Sequence, residues 1–134
     1  MAWNMGQKAV PMKSLADFRS HQYKIVELAT TEINAITHVA AGGGYGVLVN
    51  EPNTNEHGTV LVEGQIQCFA GGTVAIGDRI TAAASGWGTK VVSGMATPLT
   101  ILGQALSAAA SGYLFTLDLD KQRVFASSVD KLIA

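Results

Sequence analysis

The chain has 134 residues and a net charge of −1, with 14% Asp, Glu, Lys and Arg and 48% apolar residues. One domain is expected at that length, large enough to bury roughly two thirds of its unfolded surface. No disulfide can form within one chain, because Cys68 is the only cysteine, and no run approaches the ~20 apolar residues that span a bilayer.

In chain order, residues 1–22 read as an arm. Pro11 interrupts it, and Ser14-Leu15-Ala16-Asp17-Phe18 is expected to make one helical turn capped by Ser14, with Asp17 near its positive end. One turn is unstable alone, so Leu15 and Phe18 would have to dock. The start of the sequence has no apolar segment of the signal-peptide kind, and synthesis in a cytoplasm is expected. From Tyr23 the period shifts to two. Tyr23 to Ala29, Ile36 to Val39 and Tyr45 to Asn50 read as strands, with Ala41-Gly42-Gly43-Gly44 as a turn and a polar loop following Asn50.

A second series follows. Thr59 to Val62 and Gln65 to Phe69 flank Glu63-Gly64, which reads as a tight hairpin turn. Gly71-Gly72 turns the chain again, and Gly77-Asp78 separates Val74 to Ile76 from Arg79 to Ile80. Ala84-Ser85-Gly86-Trp87 and Ala110-Ser111-Gly112-Tyr113 are near copies, each a Ser-Gly turn followed by an aromatic residue. Leu99 to Leu102 and Tyr113 to Leu119 are further strands. Short strands at turn intervals of about 8–12 residues indicate a mainly β barrel or sandwich. In the tail, Phe125, Val129, Leu132 and Ile133 fall on one helical face. The expected organisation is therefore an N-terminal arm (1–22), a β domain (23–120) and a short helical tail (121–134).

The charge pattern carries more information than its sum. An average soluble domain is about 25% charged, whereas between Arg79 and Asp118 this chain has only Lys90. Gly, Ala, Ser and Thr dominate that stretch and fill a core poorly, so part of its surface is expected to be covered by a partner. Residues 1–24 hold Lys8, Lys13, Arg19 and Lys24 against Asp17, a basic arm on an acidic body. The overall balance gives no reason to expect nucleic acid, whose binders carry a basic face.

Catalytic and metal chemistry find no support. His21, His38 and His57 with Cys68 lack the short ligand spacings of structural zinc sites, and Cys68 reads as a buried free thiol. Ser107 and Ser111 have no G-x-S-x-G elbow. Ala41-Gly42-Gly43-Gly44-Tyr45-Gly46 lacks the Gly-Lys-Ser/Thr ending of a phosphate loop. Glu51, Glu56 and Glu63 read as a solvated acidic loop. Ile76-Gly77-Asp78-Arg79-Ile80 has the turn of biotinyl and lipoyl carrier domains, but neither Lys13 nor Lys90 has the flanks of a modified lysine. No enzyme activity, cofactor or metal is expected.

From Leu15 to Leu119 the order of turns resembles the decoration, or cement, proteins of tailed-bacteriophage heads. The residues that carry the resemblance are Gln22-Tyr23 before an apolar strand, Gly46-Val47-Leu48-x-Asn50-x-Pro52, Gly58 to Val60 and Glu63-Gly64. Ala70-Gly71-Gly72 follows, then Ile76-Gly77-Asp78-Arg79-Ile80, Ile101-Leu102-Gly103-x-Ala105-Leu106 and the β segment from Gly112. The resemblance implies a non-enzymatic virion protein on the outside of the major capsid protein shell, made in the host cytoplasm and acting as a homo-oligomer, with a trimer favoured. Neither nucleic acid nor membrane is an expected partner. On that reading the contacts with capsid or neighbouring subunits are expected from Trp3, Lys8, Lys13, Leu15, Phe18 and Arg19. The second reading is a stand-alone β module for a glycan or host surface, for which Tyr45, Trp87 and Tyr113 would form a flat aromatic patch.

Overall fold

The computed structural model describes residues 8–95 and 98–124, with the side chains of 121–124 left aside. Among the described residues nine strands form: β1 Lys8–Ser14, β2 Ile25–Leu28, β3 Ala35–His38, β4 Gly46–Leu48, β5 His57–Phe69, β6 Arg79–Ala82, β7 Gly88–Lys90, β8 Leu99–Ala105 and β9 Leu114–Val124. A 3-10 turn covers Ala84–Gly86. The architecture is mainly β, as expected. The helical tail expected beyond Asp120 lies largely outside the described residues, and β9 continues to Val124.

β1 to β4 and the first half of β5 close a five-stranded barrel in the order β1-β3-β2-β4-β5, returning to β1. The expected arm is thus corrected over its described part: Lys8–Ser14 is a barrel strand, antiparallel to β5 and parallel to β3. Pro11 does not prevent this. Lys13 N–H, two residues on, donates away from β5 to Asn34 O at 2.9 Å. By alternation Pro11 turns its missing donor to that same side, where β5 loses no bond.

The expected hairpin at Glu63-Gly64 is also corrected. β5 runs unbroken through both residues, pairing with β1 and β4 before Gly64 and with β9 from Gly64 onward. Gly64 has φ +107°, a conformation glycine adopts without steric cost. The strand changes sheets there instead of reversing. Its second half begins another sheet, β5-β9-β8-β6-β7. That sheet curls back on itself: Ala70, just after β5, bridges Gly88 of β7, and Gly71 N–H donates to Gly88 O at 2.8 Å.

The two halves share a wall. On β5, Val60 packs into the barrel core with Met12, Phe18, Val26, Ile36 and Leu48. Its neighbour Leu61 points the other way, into a core with Cys68, Ile80, Leu102, Phe115 and Leu117. Side chains alternate along a strand, so a strand apolar at both positions can serve two cores at once. β4 does likewise, with Val47 in the second core and Leu48 in the first. Cys68 is a buried free thiol, as expected, and burial pushes its pKa up to about 12.

Candidate docking surfaces

The barrel half holds Lys8, Lys13, Leu15, Phe18 and Arg19, the described residues among those singled out in the sequence. Lys13 Nζ lies 2.9 Å from Glu32 Oε2. Arg19 donates to Asp17 three times, from its backbone N–H, from Nε at 2.9 Å and from Nη2 at 2.7 Å. Those bonds hold the exposed Asp17 carboxyl down to about 2. Both cations already have carboxylate partners, and exposed pairs of this kind add little stability. Lys8 is exposed at the start of β1, and Leu15 is half-buried with its N–H donated to Ile36 O.

Phe18 is the clear correction. It is fully buried in the barrel core, and no helical turn forms around it. The residue docks on its own barrel, because a Phe ring gains far more from a closed core than one unstable turn could hold in water. Phe18 N–H donates to Pro52 O, and the ring meets His38 at 4.7 Å and His21 at 5.4 Å between centroids. His21 and His38 face one another at 4.8 Å. His21 Nδ1 is buried without a hydrogen-bond partner. Burial first, then Lys24 and His38, push the His21 imidazole below its ordinary pKa. Trp3 lies outside the described residues. Beside β1, an open groove of about 830 Å³ is lined by Val10, Pro11, Leu28, Ile33 and Tyr45 among others.

The opposite end has a different character. The loop from β5 to β6 and the loop from β8 to β9 lie side by side there. Val74 and Ala109 exchange backbone bonds at 2.9 and 3.0 Å, Gly77 N–H donates to Ala105 O, and Gly112 N–H donates to Ala70 O. Gln104 Nε2 also donates to Gly77 O at 3.1 Å. The half-buried Asp78 accepts from Ala75 N–H and so closes the first turn. Residues 64–77 and 104–117 contain no Asp, Glu, Lys or Arg. From this lip Ile76 (72% exposed), Tyr113 (69%), Leu106 and Leu114 project into solvent.

Of the three aromatics that might have formed a flat sugar platform, Tyr113 alone is exposed, while Tyr45 and Trp87 are half-buried. Among the described residues no group of three metal-ligating side chains forms, and no helix is long and apolar enough to cross a membrane. The sequence places the expected contacts on the basic residues of the barrel half, and the exposed apolar side chains of the opposite end fall within or beside the long stretch whose surface it expects a partner to cover.

No protein-family model matches the chain, and no curated protein matches it. Among solved structures it is similar to the N base of the head fiber gp8.5 in bacteriophage phi29. The TM-score is 0.65 at 18% sequence identity, over 90% of this chain and 99% of that one. At that identity the likeness is one of fold, and it extends over essentially the whole of the other chain.

Proposed function

We propose that the chain is a structural protein of a bacteriophage head, seated on the outer surface of the major capsid shell and holding shell subunits together. The observation that carries this reading is the fold correspondence with a head fiber base over 90% of this chain. The residue pattern from Leu15 to Leu119, which resembles capsid decoration proteins, also supports it, although Glu63-Gly64 redirects a strand and does not turn the chain. In this role the protein is non-enzymatic, is made in the host cytoplasm and acts as a homo-oligomer, with a trimer favoured by the resemblance.

The physics suits a clamp. A strand shared between two cores leaves little freedom for the halves to move, so little order has to be imposed on binding. A standard interface buries ~800 Å² on each partner, about 57% apolar, which over both partners is on the order of 23 kcal/mol gross at ~25 cal/mol/Å². Association costs an estimated ~4–15 kcal/mol, and ordered side chains and imperfectly paired polar groups cost more, so the area of one copy does not by itself set its affinity. Joined copies raise avidity by ~10²–10⁴.

The test is to add the purified protein to heads stripped of it and follow cosedimentation and heat resistance. Saturable binding that raises the temperature of shell disruption is the expected result. Stripped heads as resistant as coated ones would remove the cementing role.

A further inference from the structure

We infer that residues 125–134 of this chain fold back along the barrel half and fill the groove beside β1. The inference is independent of the shell role. Val10, Pro11, Leu28, Ile33 and Tyr45 are walls of one opening of about 830 Å³, in which Ile33 is 85% and Leu28 43% exposed. β1 also turns an open edge to it, because β3 pairs with β1 only through Lys13 and Ser14. Lys13 N–H points away from β5 to Asn34, a residue of the groove wall. By alternation the backbone of Ala9 and Pro11 faces the same side. An open strand edge of this kind accepts an added extended segment.

The groove does not stop at β1. A neighbouring hollow of about 420 Å³ shares Leu28, Thr30 and Tyr45 with it and reaches Pro98 and Thr100. A third, of about 270 Å³, shares Ala41 and Gly42 with the second and has Leu99 in its wall. Because neighbours share walls, the three hollows form one track from β1 to Leu99. β9 pairs Val124 with Leu99, so the chain after β9 sets out from one end of that track.

Position, reach and composition name the occupant. Residues 125–134 follow Val124 directly, and a stretch of that length covers up to ~33–36 Å when extended, about the diameter of a small domain. Phe125, Val129, Leu132 and Ile133 give it apolar side chains for the walls around Leu28 and Ile33. Its tether also favours it over the same segment of a second copy. A short link sets an effective concentration in the millimolar range, which a copy free in a micromolar solution does not reach.

The test is made on the full chain by NMR, with a nitroxide attached through Thr31→Cys, an exposed position of the β2–β3 loop. Cys68 is fully buried and stays unlabelled. The amide signals of the later residues in 125–134 should be lost beside the nitroxide and return when ascorbate reduces it. The same label at Tyr113→Cys, at the opposite end of β9, should leave them sharp. Leu132→Asp with Ile133→Asp should restore the signals beside the Thr31 label. Without any label, Ile33→Asp should shift the same signals, which reads the contact even where a nitroxide displaces the segment. A mixture of nitroxide-bearing chains without nitrogen-15 and nitrogen-15 chains without nitroxide should show no loss. Signals that stay sharp beside the Thr31 label and do not shift in Ile33→Asp would overturn the inference, as would a loss that survives the aspartate pair. A loss in the mixture would overturn it too, by assigning the groove to a second copy.

Discussion

The ammonium of Lys24 stands 5.0 Å from the ring centroid of Trp87. Lys24 leads into β2 of the barrel, whereas Trp87 follows the 3-10 turn before β7, so this contact spans the two halves of the molecule. The Phe69 ring adds a tilted contact to Trp87 at 5.9 Å. A cation over an aromatic face is worth ~0.5–1 kcal/mol at exposed sites and about 2 when desolvated. We expect Lys24→Gln to cost about 1 kcal/mol. Trp87→Ala should cost about 2–3 kcal/mol, below the value for a fully buried ring because Trp87 is only half-buried. Urea denaturation of both variants and the pair measures the coupling, and strict additivity would show that the contact contributes nothing.

Ser14 provides a prediction of opposite sign. Its hydroxyl is fully buried and without a hydrogen-bond partner, which costs about 1–3 kcal/mol relative to a satisfied or absent polar group. Ser14→Ala should stabilise the fold by about 1 kcal/mol. Thermal unfolding at neutral pH decides it, and a lower melting temperature would refute the prediction.

Gly103 marks the closest approach of β8 and β9. A Cβ there would collide with the carbonyl of Asp118, at the point where the register between these strands shifts. Gly103→Ala should therefore cost more than about 2 kcal/mol, in the range of overpacked cores. Gly77→Ala, where the new Cβ meets nothing but φ is +90°, should cost about 1 kcal/mol through backbone strain alone. Equal melting temperatures for the two variants would contradict this ranking.

His21 predicts a pH dependence. Its folded pKa lies below the unfolded value of about 6.5, owing to burial, Lys24 and His38, with Asp17 opposing. Below that value the unfolded chain binds a proton that the folded one resists, so stability falls as pH drops from about 7 towards 5. His21→Phe, which keeps a ring against Phe18 and His38, should flatten that fall. Asp17 acts in a separate, lower window: its contribution is present above about 4 and is lost as pH falls through its folded value of about 2. Melting temperatures from pH 8 to 5 test the first window, and a wild-type curve flat over that range would contradict it.

Much of the fold was legible as alternation and turn chemistry. β2, β3, β4, β6, β8 and β9 each follow an apolar run bounded by glycine or polar residues. What escaped had local signals pointing elsewhere. β1 carries two lysines and a proline, and it reads as an arm because its pairing partners lie more than twenty residues away. β7 is Gly-Thr-Lys, three residues with no apolar side chain to alternate. Glu63-Gly64 has the composition of a hairpin turn, and only the separate partners of β5's two halves show that the positive φ redirects the strand. Phe18 was recognised as needing to dock, but nothing local says whether the dock is a partner or the chain's own core. For the candidate site, the lack of charge along the second half was visible. The bridge between Val74 and Ala109 depends on strand order, which no local pattern encodes.

Density-gradient sedimentation of the source lysate, with every fraction probed for the chain by quantitative mass spectrometry, tests the proposed phage-head role. Comigration with full heads at a fixed copy number per particle, running to many copies, is the expected result. Recovery only near the top of the gradient, in fractions free of particles, would contradict it.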